Sequence, residues 1–277
     1  MSWYFDKRKI LGDKFLLFSA GTFNADFLMF NRIILVVCLA VTVSLPACKD
    51  TGSPKANSGE ELQRTFTFSG FEWIAEGSGP ERRSPGSNYY SCSEKNVWVD
   101  SQGDLHLRIT RRKGIWYCAK VTMKDSYGYG RYSFHINSRV DRLDKNVVGG
   151  LFTYLDDLNE IDIEFARWGT RDNNNGQFAV QPAYRDGNIY RFSLDLKSKR
   201  STHIIDWKRD TINFSSYRGH HSSRPSERNI ISEWNYTGEH TPPEGEEKVM
   251  INLWLFNGAP PANNREAEMV VKAVEFR

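Results

Sequence analysis

Past residue 48 the chain holds no helical period. Instead it alternates apolar and polar side chains two by two, run after run, a pattern that leaves room for little except strands. The runs fall at 96–99, 105–109, 130–136, 149–154, 160–165, 177–181, 189–194, 203–207, 249–254 and 269–276. Turn residues separate them, as in Asp100-Ser101-Gln102-Gly103-Asp104 and Arg185-Asp186-Gly187-Asn188, where glycine adopts positive φ and short polar side chains bond to nearby backbone. Many short strands joined this way predict an all-β chain, an antiparallel β-sandwich of the jelly-roll kind. Residues 215–247, opening SSYRGHHSSRPSERN, interrupt the pattern and read as a long polar surface loop.

All-β sandwiches commonly use more than about 200 residues as one domain, so 62–277 reads as a single folded unit. An aromatic share of 13% suits either a sandwich core or surfaces on which sugars stack. The 37 basic and 34 acidic side chains leave a formal charge of +3, too even a balance for the field that nucleic acid binding needs.

The segment 29–48 reads MFNRIILVVCLAVTVSLPAC. Its apolar run, 33–43, is shorter than the roughly 20 residues of a membrane span, so 29–47 reads as a cleaved export signal. Leu45-Pro46-Ala47-Cys48 resembles a bacterial lipobox, whose cysteine takes a lipid and becomes the mature N-terminus. The Lys49-Asp50 that follows resembles the surface-export signal of some Gram-negative lipoproteins. Residues 1–28, with Asp6, Lys7, Arg8, Lys9, Asp13 and Lys14, make an awkward leader, and translation is expected to start at Met29. Residues 48–61 form a polar tether rich in Gly, Ser and Pro. The expected product is an exported monomer, lipid-anchored through Cys48 to a bacterial membrane, at the outer membrane or cell surface. With Cys38 in the signal and Cys48 lipidated, Cys92 and Cys118 remain, as one disulfide worth roughly 3 kcal/mol or as two buried thiols.

The segment Asn159-Glu160-Ile161-Asp162-Ile163-Glu164-Phe165 carries most of the functional information. On a strand, Ile161, Ile163 and Phe165 point to one face and Glu160, Asp162 and Glu164 to the other. Three acids on one face repel, and on their own fit a solvated polar face, a calcium site made of hard oxygen ligands, or groups doing acid and base work. Residues i and i+4 on a strand are about 13 Å apart at the backbone. Two glutamates leaning together can reach the ~5–5.5 Å separation used by retaining glycosidases.

Glu-Ile-Asp-Ile-Glu-Phe at 160–165 resembles the signature of glycoside hydrolase family 16, and within it the bacterial lichenases (endo-1,3-1,4-β-glucanases). The likeness extends in order through Cys92, Asn96-Val97, Gly103 with Leu105 and Leu107, Cys118-Ala119, Tyr127-Gly128-Tyr129-Gly130 with Tyr132, Phe152-Thr153-Tyr154, Gln177-Phe178, Asp206-Trp207 and Met250-Ile251-Asn252-Leu253-Trp254. It implies a concanavalin A-like jelly roll whose concave sheet forms a cleft for a β-linked polysaccharide. It also implies that Cys92 pairs with Cys118, that Glu160 is the nucleophile, Asp162 its helper and Glu164 the general acid/base, and that configuration is retained. The segment lacks the extra residue found before the second Glu in agarase-like and laminarinase-like members, which favours lichenase-like or xyloglucan-active relatives.

The chain departs from lichenases at Gln177-Phe178-Ala179-Val180-Gln181, where an Asn and two Tyr are replaced, and at Arg167-Trp168-Gly169, 215–247 and Leu255-Phe256-Asn257-Gly258. Trp254, Tyr154 and Trp168 are the candidate sugar-stacking rings, because flat apolar sugar faces pack on aromatic rings. Asn96, Gln177, Gln181 and Asn252 are candidates for bonding sugar hydroxyls. No cofactor is expected, and the sequence carries no signal for a structural calcium. His220-His221 has no neighbouring Cys or paired acid and does not read as a zinc site. Two other readings keep the fold: a non-catalytic carbohydrate-binding lipoprotein, and a transglycosylase in which a sugar acceptor replaces water.

Overall fold

Strands form wherever the alternation runs, and where it is hidden by continuous burial. The computed structural model describes residues 62–277; the leader, the signal with Cys38, the lipidation site Cys48 and the tether lie outside them. In order the strands are β1 (Gln63–Phe68), β2 (Phe71–Glu76), β3 (Tyr89–Tyr90), β4 (Val97–Val99), β5 (Leu105–Arg112), β6 (Ile115–Met123), β7 (Gly130–Asn137), β8 (Val147–Asp156), β9 (Asn159–Phe165), β10 (Gly176–Val180), β11 (Ile189–Phe192), β12 (Arg200–Lys208), β13 (Thr211–Arg218), β14 (Ile230–Tyr236), β15 (Lys248–Leu255) and β16 (Ala267–Phe276). Each of the ten predicted runs overlaps a strand, with 189–194 overrunning β11 by two residues. β6, with the sequence IWYCAKVTM, is buried along most of both faces and so shows no clean alternation.

One layer has the order β11-β10-β9-β8-β15-β6, with β2 and β1 beyond β6; the other runs β5-β16-β7-β12-β13-β14, with β4 on β5. The layers join where Thr110–Arg112 of β5 pair with Ile115–Tyr117 of β6. All pairings are antiparallel except β3 on β6. Between the layers lie Ile161, Ile163, Phe165, Leu151 and Ile251 from the first sheet and Phe134, Ile136, Ile205, Trp207 and Phe214 from the second, all essentially inaccessible. Each such side chain contributes about 1.5–3 kcal/mol by burial. Phe178 meets Phe214 across the layers at 5.0 Å, and Phe214 stacks on Trp234 at 5.3 Å. His203 is fully buried in this core, bonded to Ser216 Oγ at 2.8 Å and Ser201 Oγ at 2.9 Å, and burial pushes its pKa down to about 3, so it stays neutral.

Two expectations need correction. The segment 215–247 is not one surface loop: β13 runs into it as far as Arg218, and β14 pairs with β13 as an edge strand. Ser232, Trp234 and Tyr236 do alternate with Glu233 and Asn235 there, but one of the three inward residues is polar, which masks the period. Nor is a disulfide formed between Cys92 and Cys118, although Ser91 N, next to Cys92 in the chain, donates to Cys118 O at 3.1 Å. Burial pushes the Cys118 thiol far up, which disfavours the thiolate that oxidation requires.

Candidate active site

Since inward and outward residues alternate, the Ile161-Ile163-Phe165 ridge fixes Glu160, Asp162 and Glu164 on the opposite face of β9. Neighbouring strands add their own residues in register. Arg191, Gln177, Glu164, Gly150, Asn252 and Lys120 line up across β11, β10, β9, β8, β15 and β6. A second row holds Ala179, Asp162, Phe152, Met250 and Thr122, and a third pairs Glu160 with Tyr154. Five gaps of ~4.8 Å make the first row roughly 24 Å long, a floor suited to an extended polymer lying across the strands.

Gly150 is the low point of that floor. A Cβ there would come within 2.5 Å of Asn252 Oδ1, so only glycine leaves the space between Glu164 and Asn252.

The carboxylates are held by two amides. Gln177 Nε2 donates to Glu164 Oε2 at 2.8 Å, and Gln181 Nε2 donates to Asp162 Oδ2 at 3.0 Å. Each amide is oriented from behind: Arg191 Nε donates to Gln177 Oε1 and Ala183 N to Gln181 Oε1, both at 2.8 Å. These partners fix which end of each amide faces the acid. Burial raises all three carboxyl groups. Glu160 is lifted well above its ordinary value by burial and then by Asp162, with which it shares a hydrogen bond. Glu164 is lifted by burial and by the Asp162 charge, against the pull of Gln177 and Arg191. Asp162 is pushed up to about 6 by burial, which its bonds to Glu160 and Gln181 partly offset. Three acids so close cannot all ionise at neutral pH, so they titrate as a set.

The remaining expected residues divide. Trp254 lies on the same face as Asn252, two residues along β15, and is 8% exposed. Trp168, in the turn after β9, packs edge-on against Trp254 at 6.2 Å and Phe256 at 5.5 Å. Trp168 Nε1 and Asn252 Oδ1 are buried and lack a hydrogen-bond partner among the described residues. Each such atom costs about 1–3 kcal/mol unless a partner arrives, which a sugar hydroxyl can supply. Tyr154 stands opposite Glu160, its hydroxyl 3.1 Å from Asp157 Oδ1, and burial with that bond pushes its pKa up to about 12.

Gln177 and Gln181 face the cleft but hold carboxylates, not open hydroxyl sites. Asn96 does not belong to the site. It is fully buried, its Nδ2 donates to Arg108 O and Tyr117 O, and it ties the loop before β4 to β5 and β6. The sequence reading missed Arg191, although its place in the 189–194 alternation puts it on the face shared with Gln177. Among the described residues, no group of three or more His, Cys, Asp or Glu is arranged to hold a metal ion, and no helix is long and apolar enough to cross a membrane.

No family model and no curated protein matches the sequence. Solved structures do match. A Bacillus licheniformis β-glucanase is 18% identical with a TM-score of 0.51, covering 82% of this chain and 99% of its own. A β-1,3-1,4-glucanase (lichenase) from a mouse hindgut metagenome is 19% identical with a TM-score of 0.51, covering 78% and 99%. An immunostimulatory antigen and pseudo β-1,3-glucanase of Mycobacterium tuberculosis is 19% identical with a TM-score of 0.54, covering 80% and 93%. With its two antiparallel layers and the acidic strand at the centre of one of them, this chain has the jelly-roll fold of the β-glucanases.

Proposed function

We propose that the chain is a retaining, endo-acting glycoside hydrolase of the family 16, lichenase-like kind, acting on a β-linked polysaccharide, most simply a β-glucan. The observation that carries this reading is the set of Glu160, Asp162 and Glu164 on one face of β9, Asp162 buried and the two glutamates half-buried, with Asp162 and Glu164 each held by a glutamine amide and Glu160 hydrogen-bonded to Asp162. A merely solvated strand would not clamp its acids.

In the first step Glu160 attacks the anomeric carbon while Glu164, kept protonated by its raised pKa, gives its proton to the leaving sugar oxygen. Asp162, hydrogen-bonded to Glu160, shares one proton with it, and the attack uses the form in which that proton sits on Asp162 and Glu160 is ionised. In the second step Glu164 takes a proton from water, the water attacks the glycosyl-enzyme, and Glu160 leaves. Trp254, Trp168 and Tyr154 supply rings for sugar faces, and Asn252 a hydroxyl acceptor.

The export signal, the lipid at Cys48, the monomeric state and the bacterial outer-membrane or surface location belong to the same proposal. A non-catalytic glycan-binding reading has one observation in its favour, the structural likeness to a protein called a pseudo β-1,3-glucanase. Reducing-sugar release from mixed-linkage β-glucan, laminarin, xyloglucan, agar and carrageenan separates the two. Cleavage of one glycan, abolished by both Glu160→Gln and Glu164→Gln, is the expected result; silence on every glycan alongside measurable binding supports the binding reading instead.

A further inference from the structure

At one end of the second sheet, among the β11–β12 connection, the start of β12, the end of β13 and the segment that follows it, lies a groove of ≈ 810 Å³. None of its lining residues belongs to the floor around β9. Lys197, Arg200, Arg218 and Arg228 line it with a single acid, Asp195. Four cations less one carboxylate leave a local formal charge of +3. Such a local surplus on an otherwise nearly balanced protein gives the concavity a positive field.

The charge is also left open. Asp195 pairs with Lys197 at 2.5 Å. Arg218 bonds the carbonyls of Asp195, Arg228 and Ile230 at 3.0–3.3 Å and so braces the walls. Arg200 and Arg228 are exposed and have no ion-pair partner among the described residues. Cations close by but outside the groove are neutralised: Arg224 by Glu227 and Glu233 at 2.8 and 3.0 Å, and Arg139 by Asp141 at 2.6 Å. Like charges set side by side cost stability unless an anion joins them.

We propose that this groove is a second, non-catalytic binding site for an anionic polysaccharide, one that carries sulfate esters or carboxylates. Guanidinium groups bind such oxyanions with paired hydrogen bonds, and Ser198 and Asn229, also in the lining, suit the hydroxyls between them. His220 and His221 also line the groove, but their Nε2 atoms are held by Ile136 O at 2.9 Å and Arg218 O at 2.8 Å, and no Trp, Tyr or Phe is there to stack a nucleobase; the concave form suits a polymer chain better than the plane of a membrane. The site stands whether or not the β9 carboxylates hydrolyse a glycan.

The test is calorimetric titration of the full chain with a heparin-derived hexasaccharide at about 50 mM salt, where phosphate- or sulfate-type contacts are strongest. Binding is expected that weakens steeply with added salt, falls about tenfold or more in the Arg200→Ser/Arg228→Ser double variant, and is unchanged in Glu160→Gln. Cellohexaose is expected not to compete. Both arginines are exposed, so thermal melts are expected to show the double variant folded. Equal affinity in wild type and double variant overturns the proposal, as does competition by cellohexaose. So does tighter, arginine-dependent binding to phosphatidylglycerol vesicles or to a single-stranded oligonucleotide.

Discussion

Arg191 reaches the chemistry through another side chain. Its Nε holds Gln177 Oε1, Gln177 Nε2 holds Glu164, and its charge pulls the Glu164 pKa down. Replacing Arg191 by Met removes both effects. Glu164 then holds its proton to higher pH, so the alkaline limb of the pH–rate profile moves up, and loss of the charged hydrogen bond, about 1.5–3 kcal/mol, lowers kcat roughly tenfold or more. Arg191→Lys keeps the charge without the planar fork, so its alkaline limb stays nearer the wild-type position while kcat still falls. Asp162 makes the opposite kind of prediction. Burial pushes its pKa up to about 6 from an ordinary 3.8, so the native state holds its proton more tightly than the unfolded chain. The resulting cost is about 3 kcal/mol above pH 6 and vanishes below about pH 4. Asp162→Asn is expected to raise Tm at pH 7.5 by several degrees while leaving Tm at pH 4 unchanged, and to impair activity. Melting curves at the two pH values check it.

At the scale of elements, the cleft depends on segments that carry no catalytic group. Glu247 is buried, and its carboxylate accepts from Gly128 N at 2.7 Å and Gly245 N at 2.8 Å, joining the β6–β7 turn to the approach into β15. Glu247→Ala leaves two backbone donors without their partner and is expected to cost about 2–5 kcal/mol, read by urea unfolding. On the floor, Gly150→Ala would force Asn252 away from its place; on the proposed hydrolase reading we expect a raised KM with a smaller change in kcat, measured on whichever glycan of the panel is cleaved.

β9 was legible from its sequence because one face is wholly apolar and the other wholly acidic. β15 was legible for the same reason of period, and β10, though buried throughout, because Gln177, Ala179 and Gln181 alternate with Phe178 and Val180. β14 was not, because its inward set includes Ser232, and β6 was not, because burial on both faces removes the alternation. Asn96 was misplaced since a buried amide that ties backbone and one that binds sugar look alike in sequence. Gln177 and Gln181 were placed at the cleft correctly, but their grip on Glu164 and Asp162 depends on cross-strand register, which a single strand does not reveal.

For the whole molecule, two groups of carboxylates set opposing responses to pH. The β9 acids have raised pKa values, so their destabilising effect is relieved as pH falls toward about 4–5. Asp100, Asp156, Asp195 and Glu233 have lowered values, held down by hydrogen bonds from backbone and side chains; their stabilisation persists at neutral pH and is lost as pH falls through their folded values. The molecule is therefore expected to be most stable near about pH 5 and less stable at pH 7.5, which a series of thermal melts across pH 3–8 would show.

The proposed roles of the two β9 glutamates are tested most directly by the anomeric configuration of the first-formed product, followed by proton NMR on a glycan that the reducing-sugar assay shows to be cleaved. Double displacement through Glu160 predicts that the β-anomer appears first and mutarotates afterwards; the α-anomer appearing first would contradict the assignment of Glu160 as nucleophile.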